Sequence, residues 1–193
     1  MAKRPNRGSS GQIRIIGGQW RGRKLPVLDS EGLRPTTDRV KETLFNWLMH
    51  DVRGARCLDL FAGSGGLGFE CLSRFADSVL FLEKDSKAAQ QIKTNLSTLS
   101  ADTGEVKCAD ALQLLKQPPT QPYDLVFIDP PFRKGLLEQV LQGLAAPGWL
   151  KAGSQIYIES EKELPLPPLP PNWHLHREKT AGQVVYRLFE IEA

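Results

Sequence analysis

The sequence predicts an α/β fold: a mostly parallel sheet with helices on both faces, an antiparallel strand pair at its C-terminal edge, and a small basic extension in front. Beyond residue 54, short apolar runs alternate with helical patterns, which is typical of βαβ units. Residues 174–192 alternate with period two around Gly182, which predicts an antiparallel pair. Residues 1–41 carry ten Lys or Arg against three acids, a net charge of +7, whereas the rest is −4. This asymmetry indicates either a polyanionic partner or a solvated basic tail.

The extension comes first in the chain. Residues 1–11 are basic, with Gly and Ser but no apolar periodicity, so we expect a disordered tail. Strands over residues 13–16 and 24–27 flank a Gly- and Arg-rich turn, which predicts a hairpin. A helix begins near residue 36, where apolar residues start to recur at spacings of three and four. Capping side chains are available there: Thr36, Thr37 and Asp38.

The main domain is predicted over residues 54–193, and the extension over residues 12–53. Parallel strands are predicted at residues 56–61, 78–83, 105–109, 123–129 and 154–160; helices at 65–75, 86–99, 110–117 and 135–147; and antiparallel strands at 174–182 and 183–192. Sheets of this kind bind ligands at the carboxyl ends of their parallel strands. Residues at those ends are therefore the first candidates for a functional site.

Composition excludes several classes of protein. With 193 residues, 40% of them hydrophobic and 24% charged, the chain suits one sizeable soluble domain. No apolar run is long enough to span a membrane, and no signal-peptide pattern follows the basic N-terminus, so we expect a cytoplasmic protein. The cysteines lie in apolar segments without a C-x-x-C spacing, which predicts buried reduced thiols and no metal site: Cys57, Cys71 and Cys108.

A glycine-rich loop joins the first parallel strand to its helix. Gly63, Gly65 and Gly68 match the pattern G-x-G-x-x-G, which alone is a weak signal. Glu83 ends the next strand twenty residues after Gly63, where an acid takes the ribose hydroxyls of an adenosine. Asp110 follows the third strand and can accept from an adenine amine. Together these residues favour a nucleoside site over an ordinary turn with surface acids.

Asp59 indicates which nucleoside binds. It lies in the strand end directly before the loop, where a carboxylate repels the pyrophosphate of a dinucleotide but favours a cation. S-adenosylmethionine carries a sulfonium and an ammonium and no phosphate. The sequence therefore predicts this methyl donor rather than NAD.

The string "DPPF", which ends the fourth strand, suggests the acceptor. Asp129 can accept one hydrogen of an exocyclic base amine, and the carbonyl of Pro130 the other. The two prolines restrict the backbone there, and Phe132 offers a face on which an extruded base can stack. Alignment of the amine, rather than a metal, would then provide the rate gain. A strand that simply ends in a turn is the alternative.

These strings resemble known enzymes. "DLFAGSGGLGFE", the acid of "FLEKD" and "DPPF" resemble the amino methyltransferases that act on adenine N6 or guanine N2. "RIIGGQWRGRKLPV", "LRPTTDRVKETLFNWL" and "TAGQVVYRLF" are similar to the bacterial 16S ribosomal RNA guanine-N2 methyltransferase family called RsmD, over nearly the whole chain. The resemblance implies a Rossmann-like, seven-stranded methyltransferase fold. It also implies one guanine of 16S ribosomal RNA, in the assembled small subunit, as the acceptor.

The resemblance also implies roles for individual residues. The catalytic set is Asp129, Pro130, Pro131 and Phe132. The cofactor set is Asp59, Phe61, Ala62, Gly63, Ser64, Gly65, Gly68, Glu83, Lys84, Asp110 and Ala111. The small basic extension is expected to bind RNA, with phosphate contacts from Arg14, Arg21, Arg23, Lys24, Arg34 and Arg39 and base stacking by Trp20. Trp20 can equally fill the core beneath the hairpin, and Arg34, Thr36, Thr37 and Arg39 can equally serve as helix caps and surface charge.

Other functions would share part of this pattern. A nucleic-acid adenine-N6 methyltransferase would share the pocket, although a duplex reader needs more recognition surface. A protein-glutamine methyltransferase typically has Asn where Asp129 stands. A non-catalytic RNA-binding module would not need an intact "DPPF". We expect a monomer without membrane or metal partners, and the sequence does not identify the guanine.

Overall fold

A computed structural model describes residues 11–28 and 35–193 of the chain. Residues 1–10 of the predicted tail and the predicted RNA contact Arg34 lie outside this part. The strands are β1 (Gln12–Arg14), β2 (Lys24–Pro26), β3 (Arg56–Asp59), β4 (Ser78–Glu83), β5 (Gly104–Cys108), β6 (Leu125–Ile128), β7 (Gln155–Glu161), β8 (Trp173–Ala181) and β9 (Val184–Ile191). The helices are α1 (Asp38–Trp47), α2 (Gly66–Ser73), α3 (Ser86–Leu99), α4 (Ala111–Leu114) and α5 (Leu137–Leu144).

The main sheet has seven strands in the order β5-β4-β3-β6-β7-β9-β8. The first five of these run parallel, and β9 pairs antiparallel with both β7 and β8. The central strand β6 is buried along its whole length, which explains its continuous apolar run. Because β3 lies between β4 and β6, the carboxyl ends of these three strands meet at one edge of the sheet. The predicted fold class is thus confirmed.

Two apolar layers cover the sheet. One contains core residues of the hairpin β1–β2 and of helices α1, α2 and α3. The other contains core residues of α4 and α5. Among the described residues, no helix is long and apolar enough to cross a membrane.

The extension is fixed to the main domain by a buried acid on α2. Glu70 is fully buried and accepts hydrogen bonds from the backbone amides of Ile16, at 3.1 Å, and Gly17, at 2.8 Å. Lys41 on α1, also buried, lies 3.9 Å from the same carboxylate, and Arg74 lies 3.1 Å from it. The hairpin is therefore held by charge as well as by apolar packing.

Several sequence predictions need correction at element ends. Strand β3 ends at Asp59, so Leu60 and Phe61 already belong to the loop. The helices α4 and α5 are shorter than predicted. Cys108 is exposed, not buried, because β5 is the edge strand of the sheet; Cys57 and Cys71 are buried and reduced as predicted.

Candidate active site

The glycine-rich loop turns sharply at the carboxyl end of β3. Gly63 has φ of 56° and Gly65 has φ of 82°, in the left-handed region that favours glycine. The amide of Gly65 donates to the carbonyl of Ala62 at 2.7 Å, and Gly65 caps α2. A Cβ atom on Gly68 would lie 2.2 Å from the ring of Phe81. Gly68 thus permits close packing of helix on strand.

Glu83 ends β4 and faces this loop. Its Oε2 accepts from the amide of Gly63 at 2.7 Å, and its Oε1 accepts from the amide of Asp85 at 2.8 Å. These two bonds fix the carboxylate beside the turn. A carboxylate has about four acceptor positions, so Glu83 keeps positions for the ribose hydroxyls assigned to it by the spacing.

Asp110 has a local structural role that the sequence reading did not include. It caps α4, accepting from the amide of Leu112 at 2.9 Å through Oδ1. Its Oδ2 lies 3.3 Å from Nζ of the exposed Lys84. The buried Ala111 begins the helix. The structure therefore brings the Asp110 carboxylate to the same sheet edge as Glu83. This carboxylate already contacts two partners, the Leu112 amide and Lys84.

Asp59 is buried beneath the loop. Its carboxyl accepts backbone hydrogen bonds from Gly68 and Phe61, which favour the charged form. Burial and the negative charge of Glu83 outweigh these bonds and raise the pKa of Asp59 to about 7. A bound cation would reverse this balance, because an opposite charge nearby stabilises a carboxylate.

Asp129 follows β6 directly and lies at the same edge. Burial, together with the negative charges of Glu159 and Asp59, raises its pKa well above the usual range. Perturbed carboxyl groups of this kind are typical of functional sites. The site thus concentrates acids whose charges repel one another.

The tetrapeptide predicted to be catalytic, residues 129–132, leads from the strand end into a partly exposed turn. Pro130 is buried and Pro131 is exposed. The ring of Phe132 is 44% exposed and available to a base. Arg133, next in the chain, adopts a left-handed φ of 59°, and its amide donates to Glu161 on β7. The turn is therefore anchored to the neighbouring strand.

The sequence reading missed Glu159, also on β7. The side chain is half-buried and accepts from the Tyr157 hydroxyl at 3.0 Å through Oε2. Burial raises the pKa of Glu159, while the tyrosine hydrogen bond works against this shift. A signal was available: Glu159 directly follows the apolar run of β7, as Asp129 follows that of β6.

The predicted RNA-binding residues lie mostly on the hairpin. Exposed side chains there are Arg14, Arg21, Arg23 and Lys24, and Arg39 is exposed on α1. Arg14 is engaged in an ion pair with Asp38 at 3.0 Å. Trp20 is half-buried and packs against the core, and its amide donates to Ser73, which supports the structural alternative for this residue. Thr37 caps α1 by accepting from Val40, while Thr36 is half-buried.

Two further features bear on the ligand. Within residues 11–28 and 35–193, no group of three or more His, Cys, Asp or Glu side chains could hold a metal ion. A cavity of about 450 Å³ lies at the opposite, amino edge of the sheet, lined by Arg56, Tyr123 and Trp149 among others. It is remote from the glycine loop and belongs to no part of the candidate site.

Comparisons with known proteins agree with this geometry. The family model described as "Conserved hypothetical protein 95" matches residues 13–190. Ribosomal RNA small subunit methyltransferase D of Escherichia coli K12 is 58% identical over 191 residues, covering 99% of this chain and 96% of that protein. Its Haemophilus influenzae counterpart is 56% identical, covering 94% and 95%. The solved structure titled putative methyltransferase yhhF, from Escherichia coli, is 55% identical with a TM-score of 0.89, covering 94% and 99%.

These relatives bear out S-adenosylmethionine as the predicted methyl donor, because they are methyltransferases of the same fold. They also confirm the resemblance found in the sequence. The chain belongs to the conserved hypothetical protein 95 family, which is the family of the ribosomal RNA small subunit methyltransferase D proteins.

Proposed function

We propose that this protein methylates the exocyclic N2 of one guanine in small-subunit ribosomal RNA, with S-adenosylmethionine as donor and the assembled subunit as substrate. The observation that carries the proposal is the position of Asp129. This carboxyl is half-buried at a strand end, followed by the Pro130 carbonyl and the exposed ring of Phe132, beside the glycine loop. The names of the relatives support the RNA class of the substrate.

The residues present fit the donor. A Cβ atom on Gly65 would lie 2.7 Å from the Phe69 ring, so a larger residue would crowd the loop against which an adenosine would lie. Glu83 would hold the ribose, and Asp110 with Ala111 would border the adenine. Asp59 has a carboxylate suited to the positive groups of the donor. The remainder of the proposed cofactor set, Phe61, Ala62, Gly63, Ser64 and Lys84, would line the same edge, while Gly68 would support it through its packing against Phe81.

Asp129 would act on the acceptor amine. Its carboxylate accepts one N–H and the Pro130 carbonyl accepts the other, which leaves the nitrogen lone pair directed toward the methyl group. When bound, S-adenosylmethionine supplies an electrophilic methyl and leaves as a neutral thioether. The methylated nitrogen must then lose a proton, and a carboxylate with a raised pKa is well suited to accept it. Phe132 would hold the extruded base by stacking.

The basic hairpin would hold the RNA. Its exposed arginines and lysine provide positive charge for phosphates, which fix orientation without reading sequence. The main domain is acidic by comparison. The RNA would therefore be held by the extension while the carboxyl edge of the sheet acts on one base.

Methyl transfer from labelled S-adenosylmethionine tests the proposal. The acceptors are under-methylated small subunits, the same RNA freed of protein, and duplex DNA, with the product nucleoside identified by mass. N2-methylguanosine from the subunits, with little from free RNA, is expected. N6-methyladenine, or no transfer despite donor binding, would contradict the assignment of the acceptor.

A further inference from the structure

Asp129 and Glu159 are neighbours on adjacent parallel strands. Ile128 on β6 is the register partner of Ile158 on β7, and each acid directly follows its isoleucine. Parallel strands lie about 4.8 Å apart. The two side chains also point to the same face, because side chains at equivalent register positions do so. The active site therefore presents two carboxyl groups side by side at one strand edge.

Tyr157 orients the second of these carboxyl groups. The tyrosine is fully buried, and its hydroxyl donates to Oε2 of Glu159 at 3.0 Å. This bond occupies one oxygen of Glu159 and leaves Oε1 as an acceptor. The bond also opposes the rise that burial causes in the pKa of Glu159. Tyr157 thus fixes the orientation of Glu159 beside Asp129, with Oε1 as the acceptor.

The Watson–Crick edge of guanine matches two adjacent acceptors. Its N2 amine and its N1–H are neighbouring donors. Adenine presents an N6 amine beside N1, which is an acceptor and would face the carboxylate with its lone pair. Sites that form a buried hydrogen bond to one substrate reject analogues that leave the protein group unpaired. Two adjacent carboxylates therefore favour guanine over adenine.

We propose that Glu159 is a specificity residue that accepts the N1–H of guanine while Asp129 accepts a hydrogen of the N2 amine. The inference rests on the proposed guanine-N2 activity and names how the base is selected. Glu159 touches the acceptor base but takes no part in methyl transfer. Its loss should therefore change the choice of base more than the capacity for transfer.

The test uses 2-aminopurine, which retains the N2 amine but has an acceptor at N1. Small subunits are reconstituted with either guanine or 2-aminopurine at the mapped acceptor position, and kcat/KM is measured for both. We expect the wild type to prefer guanine at least 100-fold. Glu159→Gln should lower this ratio by at least tenfold. The Tyr157 hydroxyl would bind the amide oxygen and turn the amide nitrogen, a donor, toward N1.

Glu161→Gln is the matched control. Glu161 lies two residues further along β7 and accepts from the amide of Arg133, so its change should slow both acceptors alike and keep the ratio. Both substrates are measured on one preparation, which removes the effect of any misfolded fraction. Should Glu159→Gln give no folded protein, Tyr157→Phe frees the carboxylate and should also lower the ratio, though by less.

The outcomes separate this inference from the proposed function. An unchanged ratio in the variant, with N2-methylguanosine still formed by the wild type, overturns the role of Glu159 alone. Absence of N2-methylguanosine from the wild type, with donor bound, overturns the proposed function itself. A lowered ratio in Glu159→Gln and not in Glu161→Gln supports the inference.

Discussion

Two carboxylates of this molecule, the buried Glu70 and the half-buried Asp129, have opposite surroundings. Glu70 is surrounded by positive partners: two backbone amides, the ammonium of Lys41 and the guanidinium of Arg74. Asp129 instead lies near Glu159 and Asp59, and its pKa is raised accordingly. Burying a charge is costly unless it is paired. The compensated acid therefore stabilises the fold. The charges of the acids at the sheet edge would instead be stabilised by a cationic or hydrogen-bond-donating group of a ligand.

Removing the uncompensated acid should have the largest effect on function. Asp129→Ala is expected to lower methyl transfer at least about 10³-fold, because the amine loses its acceptor. Donor affinity should change by less than about tenfold, since Asp129 is assigned to the acceptor. Isothermal titration with the donor and single-turnover transfer measure the two quantities. Asp124→Ala, at the other end of β6, is the control and should retain transfer per folded molecule. Turnover like the wild type would refute the assignment of Asp129.

Removing a partner of the compensated acid should instead destabilise the fold. Lys41 is 2% exposed, and its Nζ donates to the carbonyl of Arg14 as well as facing Glu70. Lys41→Met leaves a buried charge with fewer partners, for a loss of about 3–5 kcal/mol in the free energy of unfolding. Urea denaturation measures it.

The control for this loss is an exposed pair of the same region. Arg14 and Asp38 are 53% and 42% exposed. Arg14→Ala, which breaks that contact and leaves Asp38 facing Lys41, should cost about 1 kcal/mol or less. Equal losses in the two variants would contradict the contrast between a buried and an exposed ion pair.

The pH dependence of stability distinguishes the two kinds of acid further. The pKa of Asp59 is raised from 3.8 to about 7 in the folded chain, so the native state binds more protons than the unfolded state between these values. Stability attributable to Asp59 therefore falls as pH rises from about 4 to about 7. At pH 8, the free energy of unfolding of Asp59→Asn, measured with urea, should exceed that of the wild type by up to a few kcal/mol. Near pH 4 the two values should be similar. Donor binding should weaken at the same time.

Asp124 provides a comparison of opposite sign. Burial opposes its ionisation, but hydrogen bonds from Lys151 and from the Arg56 amide lower its pKa below the usual value. Its contribution to stability is present at neutral pH and is lost as pH falls through its folded pKa. Asp124→Asn should therefore lower the free energy of unfolding at pH 8, and this loss should become smaller at low pH. The same sign for both variants would contradict the assigned surroundings.

The sequence predicted what depends on local signals. The period of each element indicated the parallel sheet, and strand-end acids such as Glu83 and Asp129 indicated the site, because both patterns are contained within a few residues. Contacts between segments that are distant in the chain could not be predicted from the sequence. Glu70 meets Gly17 across 53 residues, and Cys108 is exposed only because strand order makes β5 an edge. Glu159 could have been predicted from its sequence position, but no proline or glycine motif accompanies it.

The smallest expected effect concerns exposed charges that form no ion pair with residues 11–28 or 35–193. Arg21 and Arg23 are exposed on the hairpin turn. Reversing both to Glu should weaken binding to small-subunit RNA by roughly one order of magnitude at low salt, with the loss shrinking as salt rises. Fluorescence anisotropy across a salt series measures this. Reversal of Arg177 and Lys179, exposed on β8, is the matched control and should have less effect. A loss that is independent of salt would indicate misfolding instead, because screening acts on exposed charges and leaves buried contacts such as Glu70 with Lys41 nearly unaltered.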